Sequence, residues 1–235
     1  GILSDEGINN LSDRAQESVG ADFQWTIRGN LLGYSSQVIA GGAYYRGKSN
    51  FNSILELAEL DPISRLTLGR GTGTFVDSEA TSINTETESS SLYISNTMDL
   101  SSTVALTLSA RGNYTDVTLR DRSGVRPELN GSHNFSRVNP SLGLTWKASD
   151  SHTLYTSYSE SSRAPTPIEL ACNEGVFDLA VAFAIEAGED PGDVDLECRL
   201  PNAFLADPPL DDVIAKSFEL GSRGFIKDIA YSLGM

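Results

Sequence analysis

Two histidines, two cysteines, one glycine-punctuated run and one acid-rich stretch are where this 235-residue sequence could do chemistry. Nucleophilic catalysis needs a serine or cysteine held against a base. His133 and His152 are the only histidines, and no serine stands out as the partner of either. No catalytic residue is therefore assigned, and the chain is not read as an enzyme. Gly69-Arg70-Gly71-Thr72-Gly73-Thr74 has glycines spaced as in a phosphate-binding loop. It lacks the Lys-Ser/Thr ending and a following helix, so it reads as a flexible loop tip. Asp190-Pro191-Gly192-Asp193-Val194-Asp195 places carboxylates close enough for calcium to be conceivable, but not in the order of an EF-hand. A solvated acidic loop is the plainer reading, and no metal site or cofactor is expected. The spacing of Cys172 and Cys198 matches no zinc motif.

The composition bounds what could position such residues. The chain is 39% hydrophobic, holds 21 Gly, and is heavy in Ser and Thr. That is the profile of polar β-structure with many turns. No run approaches the eighteen or so apolar residues of a membrane helix, so any membrane contact must be made by strands. A net charge of -15 and a pI near 4.4 argue against a nucleic-acid partner, which would need a basic face. The sequence opens at Gly1 with no basic-then-apolar leader and closes at Met235 within strand-like sequence. Both ends are expected to lie inside a longer protein.

Eight segments carry strand character: 21–28, 32–47, 89–99, 102–120, 134–148, 152–160, 213–224 and 229–235. Tight links follow the first, third, fifth and seventh, at Gly29 to Leu31, Asp99 to Ser101, Ala148 to Ser151 and Phe225 to Asp228. Between these lie long connections, Lys48 to Glu88, Asp121 to His133 and Ser161 to Asp212. Short links on one side and long ones on the other are the asymmetry of a transmembrane barrel. A soluble sandwich scatters its long connections over both ends. Within the long connections, Asn52 to Leu60 could form a short helix with Asn52 as N-cap, as could Val176 to Ala187.

Side chains within the strands alternate with period two. Val104, Leu106, Leu108, Ala110, Gly112 and Tyr114 share one face, with Thr103, Thr107, Ser109, Arg111, Asn113 and Thr115 on the other. Tyr114 closes the apolar run on the long-loop side, and Trp25 and Trp146 stand before short turns. Rings at both ends of an apolar band fit two interfacial girdles, although ordinary core aromatics would look the same. Arg111, Arg137, Glu219 and Arg223 fall on polar faces, which a barrel turns toward its lumen. Lys216 is a misfit, sharing a face with Ile214, Phe218 and Leu220 near the long-loop end, where its ammonium could snorkel to headgroups.

Two strands also carry motifs. Leu154-Tyr155-Thr156-Ser157-Tyr158-Ser159-Glu160-Ser161-Ser162-Arg163-Ala164-Pro165 runs into Thr166-Pro167-Ile168-Glu169-Leu170, and Lys216-Ser217-Phe218-Glu219-Leu220-Gly221-Ser222-Arg223-Gly224 follows later. In this order they resemble strands of TonB-dependent outer-membrane receptors that read LYxSYSxxFRAP and ELGxRG, with Ser162 where the family has Phe. Cys198 to Phe204 with Asp207 to Leu210 resembles a loop in one branch of that family.

The resemblance implies a fold class: all-β, an antiparallel up-and-down transmembrane β-barrel segment of about eight strands, with long extracellular loops and short periplasmic turns. Residues 1–235 would be part of the receptor β-barrel domain, about a third of a barrel of about 22 strands, without the plug domain and the C-terminal strands. The implied function is binding and import of a scarce nutrient across the bacterial outer membrane, a ferric siderophore being the commonest cargo. The implied partners are the TonB complex through the plug, outer-membrane lipid and the small-molecule ligand. Arg137, Arg163, Glu219 and Arg223 are the lumen or rim candidates for ligand contact. Cys172 and Cys198 share one long extracellular loop in an oxidising compartment, where a disulfide between them is favoured over two unpaired thiols. Two other readings stay open at this point, a self-contained small outer-membrane barrel with a structural or adhesive role, and a soluble β-sandwich binding module.

Overall fold

The computed structural model describes residues 7–67, 69–124, 126–172, 174–194, 197–198, 204–205 and 210–235. Its body is one eight-stranded antiparallel sheet: β1 (Gly7–Leu31), β2 (Tyr34–Ala58), β3 (Gly71–Asp99), β4 (Val104–Asp121), β5 (Gly131–Ser149), β6 (His152–Arg163), β9 (Val213–Ile226) and β10 (Ile229–Gly234). Between β6 and β9 come helices α1 (Pro167–Ala171) and α2 (Glu174–Ala187), then a two-residue hairpin of β7 (Glu197–Cys198) and β8 (Phe204–Leu205). Every strand of the large sheet lies beside its neighbour in sequence, giving an up-and-down meander with β1 and β10 at its two edges. A self-contained barrel would pair these two edges, and a sandwich would lay a second sheet over the first. Neither arrangement is present among the described residues.

The short links are as tight as expected, with a shift of one or two residues. The first turn is Leu32-Gly33 rather than Gly29 to Leu31, and both residues have positive φ, 54° and 87°. A two-residue turn with both φ positive has the twist of the strands it joins.

The long connections need correction. Most of Lys48 to Glu88 is strand: β2 runs on to Ala58 and β3 starts at Gly71, leaving only 59–70 as the link. The helix expected over Asn52 to Leu60 is absent, because Asn52 to Ala58 is laddered to β1 on one side and to β3 on the other. Two flanking strands offering backbone partners outweigh a weak local helical pattern. Ion pairs reinforce the extension, with Arg46 bound to Glu86 and to Glu88 across β2 and β3. In the third long connection the expected Val176 to Ala187 helix is present as α2.

The strands differ greatly in reach. At about 3.3 Å per residue, β1 with its 25 residues spans about 80 Å, and β3 with 29 spans more. An outward apolar band is only about 25 Å tall, so β1 to β3 continue far past it, and their upper parts mix polar side chains with apolar ones such as Leu11, Phe51, Leu55 and Ile83.

The band itself is plain in the register. Leu92, Ile94, Leu108, Leu142 and Trp146 stand on the convex face and are exposed, as are Val138 at 66% and Phe218 at 70%. A continuous apolar surface of that size calls for a covering of lipid or protein. The opposite, concave face carries the hydroxyl, amide and charged side chains. Leu108→Arg should therefore destabilise folding into phospholipid bilayers by about 2–4 kcal/mol, while Thr107→Arg on the concave face costs much less. Denaturant titration of bilayer-folded protein measures both.

Candidate functional site

The concave face holds a cavity of about 640 Å³. Antiparallel register places directly opposite residues on the same face, so its wall is assembled in rows that cross the strands. One row is Gln24, Gly41, Tyr93, Arg111 and Asn139, running from β1 to β5. Gly41 is needed here, because a Cβ on it would stand 2.5 Å from the Tyr93 hydroxyl. Without that Cβ the Tyr93 side chain crosses β2 and donates to Gln24 Oε1 at 2.9 Å. Its ring is thereby fixed 5.7 Å from the Arg111 guanidinium, a cation–π contact. Arg111 also donates from Nη2 to Ser91 Oγ at 2.7 Å and from Nε to Asn113 Oδ1 at 2.9 Å.

The row below is made of serine alone across five strands: Ser95, Ser109, Ser141, Ser159 and Ser217. Short side chains leave room above them, and Ser109 donates to Ser95 at 2.7 Å. The row above pairs Ser91, Asn113 and Arg137.

At this level the sheet changes character. The ladder between β5 and β6 ends at Ser141↔Ser159, next to Pro140, which has no N–H to offer. Side chains carry the contact from there. Arg137 Nη2 bonds Glu160 Oε2 at 2.7 Å, and Asn139 Nδ2 donates to Ser162 Oγ at 3.0 Å. Glu160 further accepts from Tyr158 at 2.6 Å and lies 3.8 Å from the ammonium of Lys216, which gives that misplaced lysine a partner.

Above the cavity the concave face is covered. Ile83, Val117 and Leu119 on the upper concave face form a small core with Leu129, Leu170 and Ala171, and Phe51, Phe135 and Val176 pack against it. Val117 is completely buried. The long connection after β6 thus turns back onto the concave face above the cavity and is anchored there by α1, forming a roof over that upper part. Its start is held by Arg163, whose Nη1 and Nη2 donate to the two Glu169 oxygens at 2.8 and 3.0 Å. Thr166 caps α1, its hydroxyl accepting from the Glu169 N–H while Glu169 reaches back to the Thr166 N–H at 2.6 Å. These contacts hold the Glu169 carboxyl down to a pKa of about 2, first through the Arg163 guanidinium and then through the Thr166 N–H.

The four residues singled out from the sequence do not form one site. Arg137 lines the cavity but is paired with Glu160. Arg163 is engaged at the start of the roof. Glu219 and Arg223 sit lower, around Tyr155, whose hydroxyl donates to Glu219 at 3.0 Å and whose ring lies 5.9 Å from Arg223. Arg111, Tyr93 and Asn139, the middle of the wall, were outside that set. Their alternation was legible; the register that brings them side by side was not. The two histidines lie far apart, His133 opposite Val117 at the upper end and His152 opposite Gly224 at the lower, where it bonds the Tyr231 hydroxyl at 2.9 Å. Gly71 to Thr74 belongs to β3, while Asp190 caps a short 3-10 turn by accepting from the Gly192 N–H. Among the described residues no group of three His, Cys, Asp or Glu is placed to hold a metal ion, and no helix is long and apolar enough to cross a membrane. Cys172 is disulfide-bonded, and the Cys198 side chain falls outside the described residues.

Residues 3–234 match the family described as TonB dependent receptor-like, beta-barrel. No curated protein matches the chain. Among solved structures, the ferric citrate transporter FecA in its unliganded form superposes with a TM-score of 0.64 at 13% identity, covering 97% of this chain and 28% of that one. The ferric yersiniabactin uptake receptor FyuA from Yersinia pestis gives 0.60 at 12% identity, over 97% of this chain and 29% of that receptor. The ferric preacinetobactin receptor BauA from Acinetobacter baumannii gives 0.59 at 16%, over 96% and 29%. At such identities the likeness is one of fold, and the chain spans less than a third of each of these proteins.

The Glu169 contacts have a pH signature. Because folding depresses this carboxyl from 4.5, its contribution is complete above 4.5 and is lost as the pH falls toward about 2. Protection of the Glu169 and Leu170 amides, measured against their intrinsic exchange rates, should therefore fall progressively as the pH drops from 4.5 to about 2, while Glu169→Gln should lower it at neutral pH and differ little from the parent protein near pH 2.

Proposed function

Since the chain belongs to the TonB-dependent receptor-like β-barrel family, we propose that it forms part of the wall of a bacterial outer-membrane receptor that binds a ferric siderophore and imports it. The observation that carries this reading is the cavity on the concave face, polar in its wall and large enough for a small chelate. Concave sites of a few hundred cubic ångströms with a few placed polar groups are where small molecules bind. The neighbours in fold named for ferric citrate, ferric yersiniabactin and ferric preacinetobactin support the choice of cargo.

In this reading the convex band faces outer-membrane lipid and the short turns face the periplasm. The extended upper parts of β1 to β3 and the segment containing α1 and α2 form the extracellular mouth. Energy for import comes through the TonB complex, acting on a plug domain held elsewhere in the full receptor. The wall contributes binding, not covalent chemistry. We also propose that Cys172 is bridged to Cys198, the other cysteine of the chain. Such a bridge closes a loop of roughly 27 residues and stabilises it by about 3 kcal/mol, keeping the roof's outer part close to its anchor.

Two measurements test this on the intact receptor. Deleting residues 161–212 should abolish uptake of radiolabelled iron presented as its siderophore complex, and unchanged uptake would rule out a role for the roof. Non-reducing peptide mapping should recover Cys172 and Cys198 in one linked pair, and Cys172→Ser should make the segment after α1 more sensitive to proteolysis.

A further inference from the structure

Two cations line the cavity, and they are in different electrostatic states. Arg137 is neutralised by Glu160. Arg111 has only neutral partners, the Ser91 hydroxyl, the Asn113 amide oxygen and the Tyr93 ring. Together these fix the plane of its guanidinium and use two of its five N–H groups, leaving the rest of the fork free. An arginine held this way is pre-organised, so little entropy is lost when it binds. The chain as a whole carries a net charge of -15, and the carboxylates of Glu160 and Asp212 also line the cavity, so a cation whose described partners are all neutral is the group on this wall able to receive an anion. The serine row beside it keeps the adjacent volume open and supplies hydroxyls.

We propose that Arg111 is the anion receptor of this cavity and that the cargo is an anionic ferric chelate, seated with a negatively charged oxygen pair on the Arg111 fork. This rests on the siderophore reading above and narrows it: a cationic hydroxamate chelate, which offers no negative oxygen pair, is excluded from this seat. Bidentate guanidinium–oxyanion bonds are stronger than neutral ones and sensitive to orientation. Loss of such a contact should weaken binding by about ten- to a hundredfold. Lysine keeps the charge but not the fork or the stacking on Tyr93, so Arg111→Lys should recover only part of it.

The experiment uses the complete receptor in detergent, with equilibrium binding of ferric citrate and a ferric tris-catecholate as anionic probes and ferrioxamine B as the cationic probe. The expected result is binding of at least one anionic probe, weakened tenfold or more in Arg111→Ala and partly restored in Arg111→Lys. The double variant Arg137→Ala/Glu160→Gln, which removes that ion pair without leaving a lone carboxylate, should have a smaller effect on the same probe. Binding of ferrioxamine B alone, or an anionic probe indifferent to Arg111→Ala, would overturn the assignment and leave the siderophore reading standing. Equal weakening of anionic and cationic probes would show Arg111 to be a positioning residue for the protein's own chain, which also overturns it. If no ferric complex binds the wild-type receptor, the siderophore reading itself fails, and this inference falls with it.

Discussion

A strand that crosses lipid has no water to satisfy its backbone, so each N–H and C=O must be paired with a neighbouring strand. The rest of this structure follows from that demand. It accounts for the unbroken meander from β1 to β10, in which each inner strand is laddered on both sides. Among the described residues, the ladder between β5 and β6 stops at Pro140, short of the ends of both strands and level with Ile94 of the apolar band, and there side chains bridge the two strands. Arg137, Asn139, Glu160 and Ser162 there do what backbone groups do elsewhere.

The same demand divides the labour between faces. With period-two alternation the convex side must be apolar, which leaves the concave side for every polar function. Register then turns scattered residues into rows. Tyr93, Arg111 and Asn139 are far apart in sequence yet adjacent in one row. Five serines from five strands line up in another. A single missing Cβ at Gly41 lets Tyr93 cross β2 and brace Arg111. The roof uses a different force. Apolar residues of α1 bury against Val117 and Leu119 on the concave face, a hydrophobic contact placed where the wall has left the membrane.

Above the band the physics relaxes, and so does the sequence signal. Backbone groups there can bond water, the convex face no longer has to be apolar, and alternation fades. Residues 48–58 and 71–88 thus read as loop although they are strand. The ladder persists because β1, β2 and β3 are already aligned by the membrane-spanning parts beneath them. Cross-strand charges such as Arg46 with Glu86 and Glu88 extend that alignment upward.

Alternation within 102–120 and 134–148, the placement of tight turns and the two strand motifs determined the fold class, the count of eight strands and the membrane-facing side. Each is a local property, visible because lipid on one face imposes a two-residue period. Helix α2 was legible for the same reason, a local pattern with no strand beside it to compete. Which polar residues share a site was decided only in three dimensions, since cross-strand neighbours depend on register and register depends on every turn before it. That is why Arg137, Arg163, Glu219 and Arg223, alike in the sequence, separate in the structure into a paired wall cation, a roof anchor and a cluster around Tyr155. Arg111, placed by alternation on the lumen face but not among the ligand candidates, occupies the centre of the cavity wall because Tyr93, held by Gln24 across Gly41, meets it there.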